Sequence, residues 1–387
     1  MKTSILHIKL LVVSLLLLSM NLTAQKHNII IDWKIAAMLP AKPNEQVSLG
    51  FAGAISGEHN GKVVIAGGAN FPNSMPWMGG KKFYYDHVYI YEQIDGLLKI
   101  KNTTNLLPEP VAYSASVSSA LGIIYAGGES DGGLSNKVFI IQVINDSALE
   151  IKNLPNLPIP IANAALAIVK DKLYLAGGES TTGTSDQLIV LDLNNLQAGW
   201  QKLPSIPLSL SHAVIASQHI SFHDKLYLLG GRQKTPSGIS ELLNSIFVFD
   251  ISTSTWNKKA QLPYSLSAGT GVAINNEQIV LLGGDKGTTF HKVETLIAAV
   301  NKETDVQKKQ VLNEKKIQLQ ASHPGFSNEM LLYDSIKDTC ISIGVIPFNV
   351  PVTTNIFKQN NQIFITSGEV RAGVRAPYIL SAKLASP

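Results

Sequence analysis

The 387-residue sequence holds a single cysteine, Cys340, and that scarcity excludes any internal disulfide. Set in the apolar-flanked run DTCISIGV at 338–345, a lone thiol reads as a small buried hydrophobe rather than a reactive centre. Excess charge is lacking too. The 32 basic and 28 acidic residues leave a formal charge of +4, with no basic tract outside one helix-forming stretch, so binding of nucleic acid finds no support. The long hydrophobic run is LLVVSLLLLSM at 10–20, too short for the roughly 20 apolar residues of a membrane-spanning helix. Lys2 and Lys9 precede it and Leu22, Thr23 and Ala24 follow, so residues 1–24 read as an export signal cleaved after Ala24. Removing the two lysines lowers the formal charge to +2. No cysteine lies near that junction to take a lipid anchor. A soluble periplasmic or secreted protein without a membrane anchor is expected.

What the sequence does have is a repeat. Five copies are KVVIAGGANFP (62–72), GIIYAGGESDGG (122–133), KLYLAGGESTTG (172–183), KLYLLGGRQKTPSG (225–238) and QIVLLGGDKGTTF (278–290), and a degenerate sixth is QIFITSGEVRAGVR (362–375). Aligned on Gly67, Gly127, Gly177, Gly230, Gly283 and Ser367, they step by 60, 50, 53, 53 and 84 residues. Further β-rich runs such as HVYIYEQ (87–93) and SIFVFDI (245–251) follow the copies, and two units lead on to a Trp and a Leu-Pro turn, Trp200 to Pro204 and Trp256 to Pro263. Runs of this length bounded by Gly, Pro, Asn and Asp indicate strands. A period near 50 is that of kelch-type propellers, in which each repeat is a four-stranded blade. The expectation is an all-β, six-bladed kelch-type β-propeller formed by residues 25–387 as one domain.

The two ends support a closed ring. The last unit stops after APYILSAKL (376–384) without its Trp and Leu-Pro strand, while IIIDWKIAAMLP (29–40) contains both. The N-terminal strand is therefore expected to close the last blade. The 84-residue step contains an insertion, and NKETDVQKKQVLNEKKIQLQ (301–320), free of Gly and Pro, predicts a surface helix or lid there. The glycine pairs lack the following helix of a phosphate-binding loop, so no nucleotide cofactor is expected. His219 and His223 are four apart but lie among strand and turn signals around ISFHDKLYLL, which gives them no common helical face for a metal.

Three stretches go beyond a generic repeat: GFAGAISGEHNGKVVIAGGANFP (50–72), GGKKFYYDHVYIYE (79–92) and GEVRAGVR (368–375). They resemble the bacterial N-acetylneuraminate epimerase family, the sialic acid mutarotases, which are exported six-bladed kelch propellers. The resemblance covers nearly the whole chain, including the helical insertion ahead of GEVRAGVR. In that family the stretch like residues 50–130 comes last, so this chain resembles a cyclically permuted member. A ring with adjacent ends tolerates such a shift.

The resemblance implies interconversion of the α and β anomers of N-acetylneuraminic acid, a sugar acid, without a cofactor or metal. By position it makes Glu369 the proton acceptor and Arg375 its catalytic companion. Ring opening of a hemiketal needs a base and an acid within hydrogen-bond reach, each worth about 10²–10⁴-fold. The planar guanidinium of Arg375 suits a sugar carboxylate, and Arg371 is a second candidate for that contact. Loops after the glycine pairs should converge on one end of the channel. They offer Asn70 and Arg232 as substrate-binding candidates, with Glu129, Glu179 and Asp285 beside them, and the first loop adds Trp77, Lys81, Lys82 and Tyr84.

Three other readings stand beside this one. A copper oxidase of the galactose oxidase type needs a cysteine crosslinked to a tyrosine and two histidine ligands, and Cys340 sits in a strand-like run outside the channel loops. A non-catalytic kelch module would bind a glycan or a protein on the same face. A mutarotase of an uncharged sugar would leave Arg371 and Arg375 without a carboxylate partner.

Overall fold

The strand ahead of each glycine pair is apolar at consecutive positions, so both of its faces must be covered. The computed structural model, which describes residues 29–41 and 45–385, meets that demand by radial stacking. In Lys62–Ala66, Val63 and Ile65 face one neighbouring sheet while Val64 and Ala66 face the other. Among the described residues there are six four-stranded antiparallel sheets, and six buried clusters fill the spaces between adjacent ones. The fold is a six-bladed β-propeller. Its channel is walled by the inner strands Ile55–His59, Ala115–Ser119, Ala165–Val169, Val214–Ile220, Thr270–Ala273 and Ile356–Gln359.

The sixth blade takes its outer strand from the other end of the chain. Ile30–Met38 pairs antiparallel with Tyr378–Leu384, and the Ala385 N–H donates to the Ile29 carbonyl at 2.9 Å. The export signal expected over 1–24 lies outside the described residues. Among those described, no helix is long and apolar enough to cross a membrane.

The glycine pairs are joints between blades. A Cβ on Gly127, Gly177 or Gly230 would stand 2.2–2.3 Å from the carbonyl oxygen of Ile161, Leu210 or Leu266 in the next blade. The second glycine of each pair donates its N–H to that same carbonyl at 2.7–2.8 Å. Both positions have φ in the left-handed region, so conformation and close approach each require glycine. At the seam the motif degenerates because a side chain replaces the backbone joint: the Ser367 hydroxyl accepts the Phe51 N–H at 2.8 Å.

A second device runs round the channel. Gly53, Tyr113, Asn163, His212, Ala268 and Thr353 all have φ between 48° and 66°. Each N–H donates to the carbonyl of the preceding residue in this series at 2.7–3.0 Å, and the Gly53 N–H closes the circle on Thr353. Six hydrogen bonds thus lock the blades together at one end of the channel.

In five blades the chain leaving the glycine pair makes a two-stranded hairpin. In the fifth it makes two helices, α1 over Thr288–Lys302 and α2 over Val306–Ala321. The single helix expected over 301–320 is corrected accordingly. Residues 303–305 break it, with Asp305 Oδ1 accepting the Lys308 N–H at 2.9 Å as the cap of α2. The β-branched residues and threonines of α1 have low helix propensity, which hid this helix. Its tertiary contacts override that preference: the Glu294 carboxylate accepts the Ser240 N–H at 2.7 Å and the Ser240 hydroxyl at 2.8 Å.

Candidate active site

The residue after each glycine pair, and after Ser367-Gly368 in the sixth repeat, is fixed by one bridge to a residue next to the hydrogen-bonded ring: Ala52–Ala69, and for the polar ones Ala112–Glu129, Ala162–Glu179, Ser211–Arg232, Ser267–Asp285 and Val352–Glu369. The repeat therefore sets these polar side chains around one mouth of the channel. Over blades four to six a cavity of about 400 Å³ opens, bordered by Arg232, Asp285 and Glu369 and covered by Phe290 and Ile297 of α1 and by His323 beyond α2. That size suits a small ligand.

On the blade-four side, Arg232 donates through Nε and Nη2 to Glu179 Oε1 at 3.3 and 3.0 Å. Lys234 lies 2.7 Å from the other oxygen, and the Ser211 hydroxyl donates at 2.9 Å. Burial pushes the Glu179 carboxyl up, but His212, Arg232 and Lys234 outweigh it and bring it down to about 2. Burial, with Arg232 nearby, pushes the His212 imidazole down to about 3. The ring is thus neutral at pH 7, and the permanent cations keep Glu179 charged. The Arg232 guanidinium also lies 5.1 Å over the Phe290 ring, a cation–π contact that orients it.

On the blade-six side, the hairpin of Glu369–Arg371 and Val374–Arg375 sets Glu369 opposite Arg375. Glu369 Oε1 accepts the Gly373 N–H at 2.9 Å, and Oε2 is 3.3 Å from Arg375 Nη1. Arg375 is 6% exposed and rests over the Phe71 ring at 5.0 Å. Arg371 is exposed on the same hairpin. Asn70 is buried, donating to the Gly50 carbonyl at 2.8 Å and accepting from the Tyr85 hydroxyl at 2.9 Å. The structure therefore brings Glu369 and Arg232 to the cavity, sets Arg375 behind Glu369, and keeps Asn70 and Arg371 off the cavity wall.

The other loop residues divide. Lys82 and Tyr84 both donate to Glu129 Oε1, at 2.6 and 2.7 Å, making a polar cluster on the opposite side of the mouth. His219 and His223 are engaged separately, with Asp224 and Ser252. Cys340 is half-buried on the outer strand Thr339–Val345, and burial pushes its thiol up to about 12.

Asp285, offered by the sequence as one loop residue among several, reaches the cavity, and burial pushes its carboxyl up, against the Gly287 N–H that donates to Oδ1 at 2.8 Å. Three further cavity residues, His323, Ser267 and Gln320, escape a reading of the sequence for site chemistry. His323 accepts the Gly325 N–H on Nδ1 at 3.0 Å, and burial lowers its pKa, so the neutral ring presents Nε2–H as a donor. Ser267 Oγ and Gln320 Oε1 border the cavity, buried and without a hydrogen-bond partner among the described residues. Unsatisfied buried polar atoms are rare in folded proteins, and at a cavity wall they are what a polar ligand would engage. Ser267 was findable, since it occupies the repeat position of Ser211. Gln320 and His323 lie in the insertion, where no repeat register applies.

The sequence pattern of one protein family, N-acetylneuraminate epimerase, matches residues 154–386. Similar proteins bearing that name come from several bacteria. That of Vibrio cholerae serotype O1 is 38% identical over 127 residues, 31% of this chain and 32% of the relative. That of Yersinia pestis strain Pestoides F is 28% identical over 224 residues, 57% of this chain and 55% of the relative. That of Pasteurella multocida is 24% identical over 179 residues, 46% of each. The matches thus span from about a third to just over half the length of these relatives.

Proposed function

The chain belongs to the N-acetylneuraminate epimerase family, and from that premise we propose that it interconverts the α and β anomers of N-acetylneuraminic acid. The observation that carries this reading is the meeting of Arg232 and Glu369, from different blades, at one cavity with unpartnered polar atoms on its wall. A carboxylate and a fixed cation are what a sugar acid undergoing proton transfer requires.

In this reading Glu369 removes the proton of the anomeric hydroxyl, and the ring oxygen takes a proton as its bond to the anomeric carbon breaks. Reclosure on the other face gives the second anomer. Since the hemiketal already opens in water, a base and an acid worth about 10²–10⁴-fold suffice. The Gly373 N–H fixes one oxygen of Glu369 and Arg375 flanks the other, which makes Arg375 a positioning residue. Asn70 acts one step further back, bracing the loop that carries Phe71 beneath Arg375. Arg232 is the group that receives the sugar carboxylate, because its planar fork is already oriented by Glu179 and Phe290. An exported, periplasmic protein acting on a free sugar acid is consistent with this role.

Exchange NMR on N-acetylneuraminic acid tests the reading. The wild-type protein should accelerate anomer exchange, and Glu369→Gln, which keeps an acceptor for the Gly373 N–H, should lose about 10²-fold or more of that acceleration. A wild-type protein that binds the sugar without changing its exchange rate would leave a binding module, and acceleration confined to uncharged sugars would move the substrate.

A further inference from the structure

We propose that Asp285 is the acid partner of Glu369, delivering a proton to the sugar's ring oxygen in ring opening and recovering it in closure. The inference rests on the anomer-exchange reading above and adds to it the second proton-transfer group.

Four blades carry an acid directly after the glycine pair or, in the sixth, after Ser367-Gly368: Glu129, Glu179, Asp285 and Glu369. Three of them are met by cations. Glu129 has Lys82 at 2.6 Å, Glu179 has Lys234 at 2.7 Å and Arg232 at 3.0 Å, and Glu369 has Arg375 at 3.3 Å. Asp285 differs. Its hydrogen bond among the described residues is the Gly287 N–H on Oδ1, and no ion pair reaches it there. It nevertheless borders the same cavity as Glu369.

The neighbours do not reverse that difference. Arg232, His291 and His323 face Asp285 from blade four, from α1 and from the segment after α2, and their pull is weaker than burial, which raises its carboxyl. Glu369 reaches this group from blade six through His323, which feels both acids. Two carboxyls thus meet on one cavity: Glu369 has a guanidinium at 3.3 Å, whereas Asp285 makes no ion pair among the described residues and burial raises its carboxyl. That division is the arrangement by which paired carboxyls take acid and base roles. The other donors fit less well: a guanidinium does not release its proton, and a neutral imidazole is a hydrogen-bond donor rather than an acid.

The step balances. As the anomeric O–H proton passes to Glu369, that oxygen's electrons form the carbonyl. The bond from the anomeric carbon to the ring oxygen breaks, and the freed pair takes the Asp285 proton. After rotation, the new hydroxyl attacks the other face of the carbonyl while Asp285 takes the hydroxyl proton and Glu369 returns its own to the carbonyl oxygen. Both side chains end as they began, and no co-reactant is needed.

Asp285→Asn keeps the acceptor for the Gly287 N–H, so the turn into α1 survives while the acidic proton is lost. Asp285→Ser, which also retains a short acceptor, serves if the Asn protein melts early. The readouts are exchange rate, affinity for N-acetylneuraminic acid and the pH profile of kcat/KM. The expected result is a loss of about 10²-fold or more, unchanged affinity, and disappearance of the alkaline limb, since an acid is active below its pKa and fails as pH rises through it. A variant that matches the wild type, or a slower one that keeps the alkaline limb, overturns the assignment while anomer exchange by the wild type stands. Absence of acceleration by the wild type itself removes both the function and this residue's part in it.

Discussion

Glu179 and His212 show how a buried residue is defined by company that sequence spacing does not reveal. Glu179 lies at 9% exposure among Arg232, Lys234 and Ser211, and its carboxyl falls from 4.5 to about 2. It therefore contributes stability that is present above pH 4.5 and is lost as pH falls towards 2, an amount of roughly 3 kcal/mol. His212 falls from 6.5 to about 3, so the unfolded chain takes up a proton below pH 6.5 that the folded one refuses. Urea unfolding should accordingly show stability declining below pH 6.5 and more steeply below 4.5. Glu179→Gln should be about 3 kcal/mol less stable at pH 7, because Arg232 loses its counter-ion, and should lack the steep acidic segment. An unchanged acid profile in that variant would mean other carboxylates carry the decline. The sequence announced Glu179 only as the residue after a glycine pair. That position is local information, whereas its partners come from the next blade.

Elements follow the same division. Strands and glycine joints were legible because a four-stranded blade repeats: consecutive apolar residues mean two covered faces, and paired glycines mark where the next blade's carbonyl enters. The hairpin carrying Glu369 and Arg375 was legible by resemblance. The insertion belongs to no repeat, and there propensity alone placed one helix where two stand. What fixes α1 is a long-range contact, the Glu294 carboxylate on the backbone and hydroxyl of Ser240. Bonds to a charged group of this kind are worth about 1.5–3 kcal/mol each. Glu294→Ala should leave global stability little changed, because α1 has no buried residue in a blade core. It should, however, raise amide hydrogen exchange across 288–302 and 235–241 and weaken binding of N-acetylneuraminic acid, since Phe290 and Ile297 cover the cavity from α1. Unchanged protection in both segments would show that the helix is held by its apolar face instead.

At the scale of the whole molecule the ring has no privileged starting point. Every adjacent pair of blades shares a buried cluster, including blades six and one, and the channel-end hydrogen bonds form a closed circle. The described ends meet where the Ala385 N–H donates to Ile29, beside nine residues, Ile30–Met38, that complete the sixth sheet. A ring so closed can be opened at any blade junction without losing a contact. A permutant can test this. Residue 385 would be joined to 29 by a short linker, and the chain opened at 147–148, in the turn before the outer strand Leu149–Leu154 of blade two. That strand would become the N-terminal clasp, restoring the architecture by the same rule. The permutant should fold with the wild-type circular dichroism spectrum and retain anomer exchange, because its contacts are unchanged and only the loop closures differ. Deleting residues 29–39 from the native order should instead leave Tyr378–Leu384 as an unpaired edge and lead to aggregation. A permutant that fails to fold while the deletion folds normally would place the organising contact in the present N-terminal strand rather than in closure of the ring.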